Sequence, residues 1–366
     1  MLASSPLAAA PAATAVPGRA FYLPSLDGLR ACAALLVFFS HAGWGHLIPG
    51  GFGVTVFFFL SGYLITTLLR REVEQHGRIS FRSFYLRRVY RIFPPMYLLL
   101  FLLLGLCLAG VLQNDMSWGG VAALLTQSTN YYLLSVEHSG LLPFTGTYWS
   151  LAIEEHFYLL FPALFAACAA RWPHRRTAAL LALVCVAVLA WRCVLIYWLQ
   201  AADERTYLAT DTRLDSLLFG CVMGLWRNPA LDARPLAPRP WQHALLLGGA
   251  IALLLGCFVV RDPAFRATWR YTLQGLALFP VFWYAVRHPQ WPLFRPLNWR
   301  AVRWVGEISY VFYLSHLLWL AVAWHLWPDN RAGGAALALG LTLVFSWAVH
   351  LVVERPFARL RKQLHH

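Results

Sequence analysis

Residues 92–112 read IFPPMYLLLFLLLGLCLAGVL, twenty-one positions without one charged side chain. An α-helix rises about 1.5 Å per residue, so about 20 such residues match a hydrocarbon core about 30 Å thick. Runs of this kind recur along all 366 residues, of which 59% are hydrophobic and only 13% charged. A soluble domain carries about 25% charged residues. The sequence therefore predicts an all-α polytopic membrane protein, a bundle of about ten transmembrane helices. The predicted spans are 26–47, 52–70, 92–112, 147–170, 177–199, 213–227, 241–260, 271–287, 304–326 and 334–353. The semi-apolar stretch Trp118 to Val136 is polar at Gln127, Ser128, Thr129 and Asn130, and it reads as a re-entrant or interfacial helix.

The net charge of +14 would suggest nucleic acid in a soluble protein. Here the arginines fall between apolar runs, so the charge is read as topology and no nucleic-acid partner is expected. With the N-terminus inside, 22 Lys and Arg lie in inside segments and 6 in outside segments; Arg30 and Arg192 fall within helices. Positive charge favours the cytoplasmic side. The expected location is the inner (cytoplasmic) membrane, with both termini cytoplasmic. Residues 1–20 are rich in Ala and Pro, lack a basic stretch before an apolar one, and read as a disordered cytoplasmic tail rather than a signal peptide. Residues 21–360 form the expected membrane domain, and 361–366 a short cytoplasmic tail. The seven cysteines lie in apolar segments and read as small core residues.

Ionisable residues inside apolar helices are costly and point to function. Arg30 and His41 are eleven residues apart, about 20° past three full turns, so they share a helix face about 16.5 Å apart along the axis. Small residues at Gly50, Gly51, Gly53 and Gly62 allow close helix packing. Arg88 and Arg91 stand at i and i+3 before Ile-Phe-Pro, where paired guanidinium groups can grip phosphate or contact lipid headgroups. Tyr148, Trp149, Ser150, Glu154, Glu155 and His156 enter the fourth span from outside. Asp211, Arg213 and Asp215 open the sixth, where a local ion pair is an equally good reading. Ser309, Tyr310, Tyr313, Ser315 and His316 lie near mid-membrane in the ninth, and Glu354 closes the tenth.

These motifs, in this order, resemble the acyltransferase-3 family of integral-membrane O-acyltransferases. The resemblance rests on R-x10-H within Leu26-Asp27-Gly28-Leu29-Arg30, on Phe59-Leu60-Ser61-Gly62-Tyr63-Leu64-Ile65, and on Arg88-x-x-Arg91. It also rests on the Trp149-Ser150-Leu151 run with Glu154 and Glu155, and on Tyr313-Leu314-x-His316. It covers about residues 22–360. The family often carries a further esterase-like domain, and none is expected within this sequence.

The resemblance implies transfer of an acyl group, commonly acetyl, from cytoplasmic acyl-CoA to a carbohydrate hydroxyl. The acceptor would be a cell-envelope glycan or its lipid-linked precursor, such as lipopolysaccharide O-antigen, exopolysaccharide or peptidoglycan. Arg88, Arg91 and Arg30 would bind acyl-CoA. His41 would be the general base, a task suited to a pKa near working pH. Glu154 or Glu155 would orient His41 or bind the acceptor. Tyr148, Trp149, Ser150, Asp211, Arg213, Asp215 and His316 remain acceptor or structural candidates. No metal is expected, and no Gly-rich phosphate loop is present. The competing reading is a proton-coupled transporter of a small solute or glycan precursor, which would also show intramembrane His, Arg and Glu. Such carriers usually have two related halves, and no internal match is evident.

The charge bias makes a direct prediction. Reporters fused after Lys362 and after Arg78 should both read cytoplasmic in a topology assay. A periplasmic signal at either site would overturn the orientation.

Overall fold

The computed structural model describes residues 22–136, 139–232 and 240–363, and among them the regular structure is entirely helical. The expected tails 1–20 and 364–366 lie outside the described residues; positions 361–363 simply continue the last helix. Ten long helices correspond to the ten predicted spans. They are α1 (Pro24–Phe39), α2 (Gly50–His76), α3 (Phe81–Leu108), α4 (Trp149–Ala169) and α5 (His174–Cys193), then α6 (Thr210–Leu225), α7 (Pro240–Val259), α8 (Trp269–Arg287), α9 (Ser309–Leu326) and α10 (Arg331–Val349). Seven, taken with the short helical turns that adjoin some of them, are long and apolar enough to cross a membrane, and an eighth span arises if α9 is joined to the helix before it. The remaining two, α6 and α8, are shorter or more polar and pack among the others.

Three boundaries differ from the sequence reading, each for a local reason. Helix α3 begins eleven residues before position 92, because the Ser80 hydroxyl accepts from the Ser83 N–H at 3.4 Å and caps a strongly basic first half. Hydropathy alone hides that half. The Arg88-x-x-Arg91 pair is therefore inside a helix, not in a loop. Pro94 and Pro95 lie mid-helix, and beside them the Tyr310 hydroxyl donates to the Ile92 carbonyl at 2.9 Å. The ninth span is broken: Arg300–Glu307 and α9 meet at an angle of 76°. The stretch from Trp118 is two short helices, Trp118–Leu125 and Thr129–Ser135, joined at Gln127 with φ of 57°. Neither is long enough to span.

Helix α2 is the centre of the bundle and packs most extensively against α6. The approach is backbone to backbone. A side chain at Gly62 would strike the Leu217 carbonyl, and one at Gly220 would strike the Phe59 carbonyl. Around this crossing lies one large apolar core that includes Phe58, Phe59, Tyr63, Leu217 and Phe282. Leucines and valines of α5 and α7, such as Leu183, Leu245 and Val259, face outward where lipid would lie. Five of the seven cysteines are buried; Cys32 is exposed and Cys193 half-buried, so Cys32 is not a core residue.

A buried ion pair ties α5, α6 and α8 together. Arg192 and Asp215 are both fully buried and bond at 2.9 and 2.7 Å. Thr272 bridges them, accepting from Arg192 at 2.6 Å and donating to Asp215 at 3.0 Å, while Arg192 also donates to the Thr268 carbonyl. The local ion pair that was one reading of the Asp211, Arg213 and Asp215 cluster does not form between Arg213 and Asp215; both Asp215 oxygens are taken by Arg192. Breaking a buried pair leaves an uncompensated charge, whereas replacing both partners does not. Asp215→Leu should destabilise the detergent-solubilised protein by about 3–5 kcal/mol, and Arg192→Met with Asp215→Leu should recover most of that loss. Equal thermal denaturation midpoints for the single and double variants would contradict this role.

Candidate active site

Two cavities meet inside the bundle. The first is lined by Arg30, Ser61, Arg88, Arg91, Glu154, Glu155, Tyr158 and Tyr310 and holds about 820 Å³ of empty space, part of it open to solvent. The second is lined by His41, Ser40, Gly51, Thr147, Trp149 and Tyr207 and holds about 400 Å³. Val54 and Tyr313 line both. They form the wall between an arginine cavity and a histidine cavity. The Tyr313 hydroxyl is anchored to Ser150 at 2.7 Å and to the Thr147 carbonyl at 3.1 Å, so the wall is tied to the start of α4.

The arginine cavity is built from five helices, α1, α2, α3, α4 and α9. Arg30 from α1 is held by Asp27 at 2.6 Å. Arg88 from α3 lies over the rings of Phe84 and Tyr158, and its buried Nε has no hydrogen-bond partner. Glu154 from α4 accepts from Ser61 at 2.8 Å and from Tyr158 at 3.4 Å. Ser61, read from sequence only as a packing residue, thus fixes a carboxylate. Three guanidinium groups around a space of this size can hold a polyanion.

His41 belongs to a different cavity from Arg30. Helix α1 does not continue as an α-helix past Phe39; Ser40–Trp44 form a π-helical turn, closed by Gly43 at φ of 99°. Turns of this kind insert one residue and commonly mark functional positions. Here the turn presents His41 to open space, so the imidazole is exposed rather than buried as the apolar sequence context suggested. Its Nδ1 lies 3.0 Å from the Val37 carbonyl and 3.2 Å from His316 Nε2. Glu154 and Glu155, expected as alternatives for orienting His41, line the other cavity; the residue that touches the imidazole is His316.

Residues 23–351 match the family model described as an acyltransferase domain, the third family of that name. The chain belongs to the acyltransferase-3 family. It is 29% identical to a peptidoglycan O-acetyltransferase of Listeria monocytogenes, over 81% of this chain and 49% of the relative. It is 31% identical to a Bacillus subtilis protein provisionally named a peptidoglycan O-acetyltransferase, over 81% and 48%. Staphylococcus aureus proteins provisionally named O-acetyltransferases are 28% identical over 92% of this chain and 58% of their own length. The chain thus spans about half the length of the curated relatives it matches. No solved structure matches it.

The remaining predicted residues of this acyltransferase-3 domain fall into distinct places. Trp149 lines the histidine cavity and packs on Tyr207, ring centroids 4.6 Å apart. Ser150 lines the arginine cavity and anchors Tyr313. Tyr148 is buried behind the cavities, donating to the Leu314 carbonyl at 3.4 Å. Asp211 pairs with Arg205 and accepts from Trp191 and Tyr131, near the surface. Arg213 is fully buried, 3.9 Å from the Tyr271 ring centroid, with one N–H on Thr55. Glu354 pairs with His350 at 2.6 Å and lies outside both cavities. Asp27, Val54 and Tyr313 were not given site roles by sequence reasoning. Only their positions relative to Arg30 and His41 in three dimensions single them out.

Proposed function

We propose that this domain transfers an acyl group, acetyl in the simplest case, from acyl-CoA to a hydroxyl of a cell-envelope carbohydrate. Acyl-CoA enters the arginine cavity from the cytoplasm, and the acceptor enters the histidine cavity from the opposite side of the inner membrane. The observation that carries this reading is the pair of cavities that share Val54 and Tyr313 as lining residues, with guanidinium groups in one and an accessible imidazole in the other. Arg88 and Arg91 hold the CoA phosphates, with Arg30 deeper in. The pantetheine arm extends toward the wall, and the acyl carbonyl comes to the junction. His41 takes the proton of the acceptor hydroxyl, the oxygen attacks the thioester carbon, and the C–S bond breaks. The proton passes from His41 to the thiolate, giving the ester and CoA thiol. The names of the relatives favour peptidoglycan as acceptor over lipopolysaccharide O-antigen or exopolysaccharide.

Two measurements on protein in lipid nanodiscs test this. Arg88→Ala and Arg91→Ala should each weaken acetyl-CoA binding by about 1.5–3 kcal/mol, the range for hydrogen bonds to charged groups. Unchanged binding in the double variant would remove the donor assignment. His41→Ala should lower acceptor-dependent thiol release by about 10²–10⁴-fold, the usual contribution of a general base, while donor binding holds. A folded His41→Ala protein that turns over near the wild-type rate would overturn the mechanism. Failure of the wild type to bind CoA would instead favour the carrier reading.

A further inference from the structure

His316 touches the imidazole assigned as base, yet it lines neither cavity. It is 1% exposed, one turn along α9 from the wall residue Tyr313. We propose that His316 is a positioning residue that fixes the tautomer and ring angle of His41. This rests on the reading of His41 as general base.

The assignment follows from which atoms can donate. His316 Nδ1 lies 2.7 Å from the Tyr313 carbonyl. A carbonyl only accepts, so Nδ1 carries the hydrogen. A neutral imidazole has one N–H, which leaves His316 Nε2 as a bare lone pair. That lone pair lies 3.2 Å from His41 Nδ1. The other neighbour of His41 Nδ1 is the Val37 carbonyl at 3.0 Å, also an acceptor. His41 Nδ1 therefore carries its hydrogen and shares it between two acceptors, and His41 Nε2 is left unprotonated. Among the described residues, Nε2 has no protein hydrogen-bond partner, and its ring borders the histidine cavity. A bare Nε2 facing the acceptor is what a base requires; the other tautomer would present an N–H and repel the incoming hydroxyl hydrogen.

The Val37 carbonyl is a weaker lock, because it also accepts from the Ser40 N–H within the π-helical turn. His316 supplies the second, unshared acceptor. It also holds the ring against rotation, with the two imidazole centroids 5.1 Å apart. When His41 takes the acceptor proton, its Nδ1–H already points at a lone pair, so the imidazolium is stabilised without any group moving. The proton then leaves from Nε2 to the thiolate, and both histidines return to their starting forms. A merely structural His316 would need only its bond to the Tyr313 carbonyl. The second contact, made by the other ring nitrogen, is what the positioning role adds.

The test uses His316→Phe, which keeps a buried ring but loses the acceptor, and His316→Gln, whose amide oxygen can replace it. Both are compared with wild type in nanodiscs, with acetyl-CoA and a soluble N-acetylglucosamine–N-acetylmuramate oligosaccharide as probes. His316→Phe should lower kcat by about 10–100-fold, the size seen when a partner that orients a functional imidazole is removed. The KM for acetyl-CoA should stay unchanged, and His316→Gln should restore most of the loss. Independently of activity, ¹⁵N NMR of labelled histidine should show His41 in wild type with Nδ1 protonated and Nε2 bare, and in His316→Phe as a mixture of tautomers. A wild-type His41 protonated at Nε2, or an unchanged tautomer and kcat in His316→Phe, would overturn the proposal. If His316→Phe does not fold, the wild-type tautomer and the His316→Gln rate decide. The NMR result stands even if neither probe is a substrate, which separates failure of this inference from failure of the acyl-transfer reading.

Discussion

Hydrocarbon does not solvate charge, and that constraint sets apart two groups of ionisable side chains in this bundle; Arg213 belongs to neither, being fully buried against the Tyr271 ring with Nε and Nη1 unpartnered. One group is sealed and saturated. Arg192 and Asp215 are fully buried, and their charges are met by each other, by Thr272 and by backbone carbonyls. Such a pair has its value in specifying how α5, α6 and α8 meet rather than in offering chemistry. The other group is open and incompletely paired. Arg88 has a buried Nε without a partner, and His41 leaves a ring nitrogen free at a cavity. Charges at an open cavity inside a membrane protein mark a place for water or a ligand.

The packing of α2 explains why the open groups converge. Gly62 and Gly220 let the backbones of α2 and α6 come close, which fixes α2 at the centre with one flank toward α1 and α4. Val54 then stands between the cavities, and Ser61 faces the arginine cavity, donating to Glu154. Tyr313 completes the wall from α9, held by Ser150 and the Thr147 carbonyl at the start of α4. In the proposed reaction a thioester from one side and a hydroxyl from the other would meet here, and holding two reactants in register is itself a large part of catalysis.

The helices were legible because hydropathy reports burial in lipid directly; all ten predicted spans are helical. Their ends were less so. The first half of α3 carries arginines that hydropathy rejects, although the Ser80 cap and a helix-forming sequence extend it. The break at Ile308 is invisible to a window that averages across it. Within the site, the R-x10-H spacing put Arg30 and His41 on one helix face. It assumed an uninterrupted α-helix and so missed the π-helical turn that sends His41 into a cavity of its own. Pairings across the chain were not legible at all. Arg192 with Asp215 and His41 with His316 depend on how distant helices pack, and neither pairing was among those the sequence suggested.

The central claim is that donor and acceptor approach the Val54–Tyr313 wall from opposite sides. The most direct measurement is a structure of the domain in lipid with an acetyl-CoA analogue in which a methylene separates sulfur from the carbonyl, so that transfer cannot occur. The account predicts phosphates against Arg88 and Arg91 and the carbonyl between Val54 and Tyr313. The carbonyl carbon should lie where a hydroxyl oxygen hydrogen-bonded to His41 Nε2 could approach to about 3–3.5 Å. An analogue whose carbonyl stays at the arginine mouth, walled off from His41, or one bound from the histidine side, would contradict it.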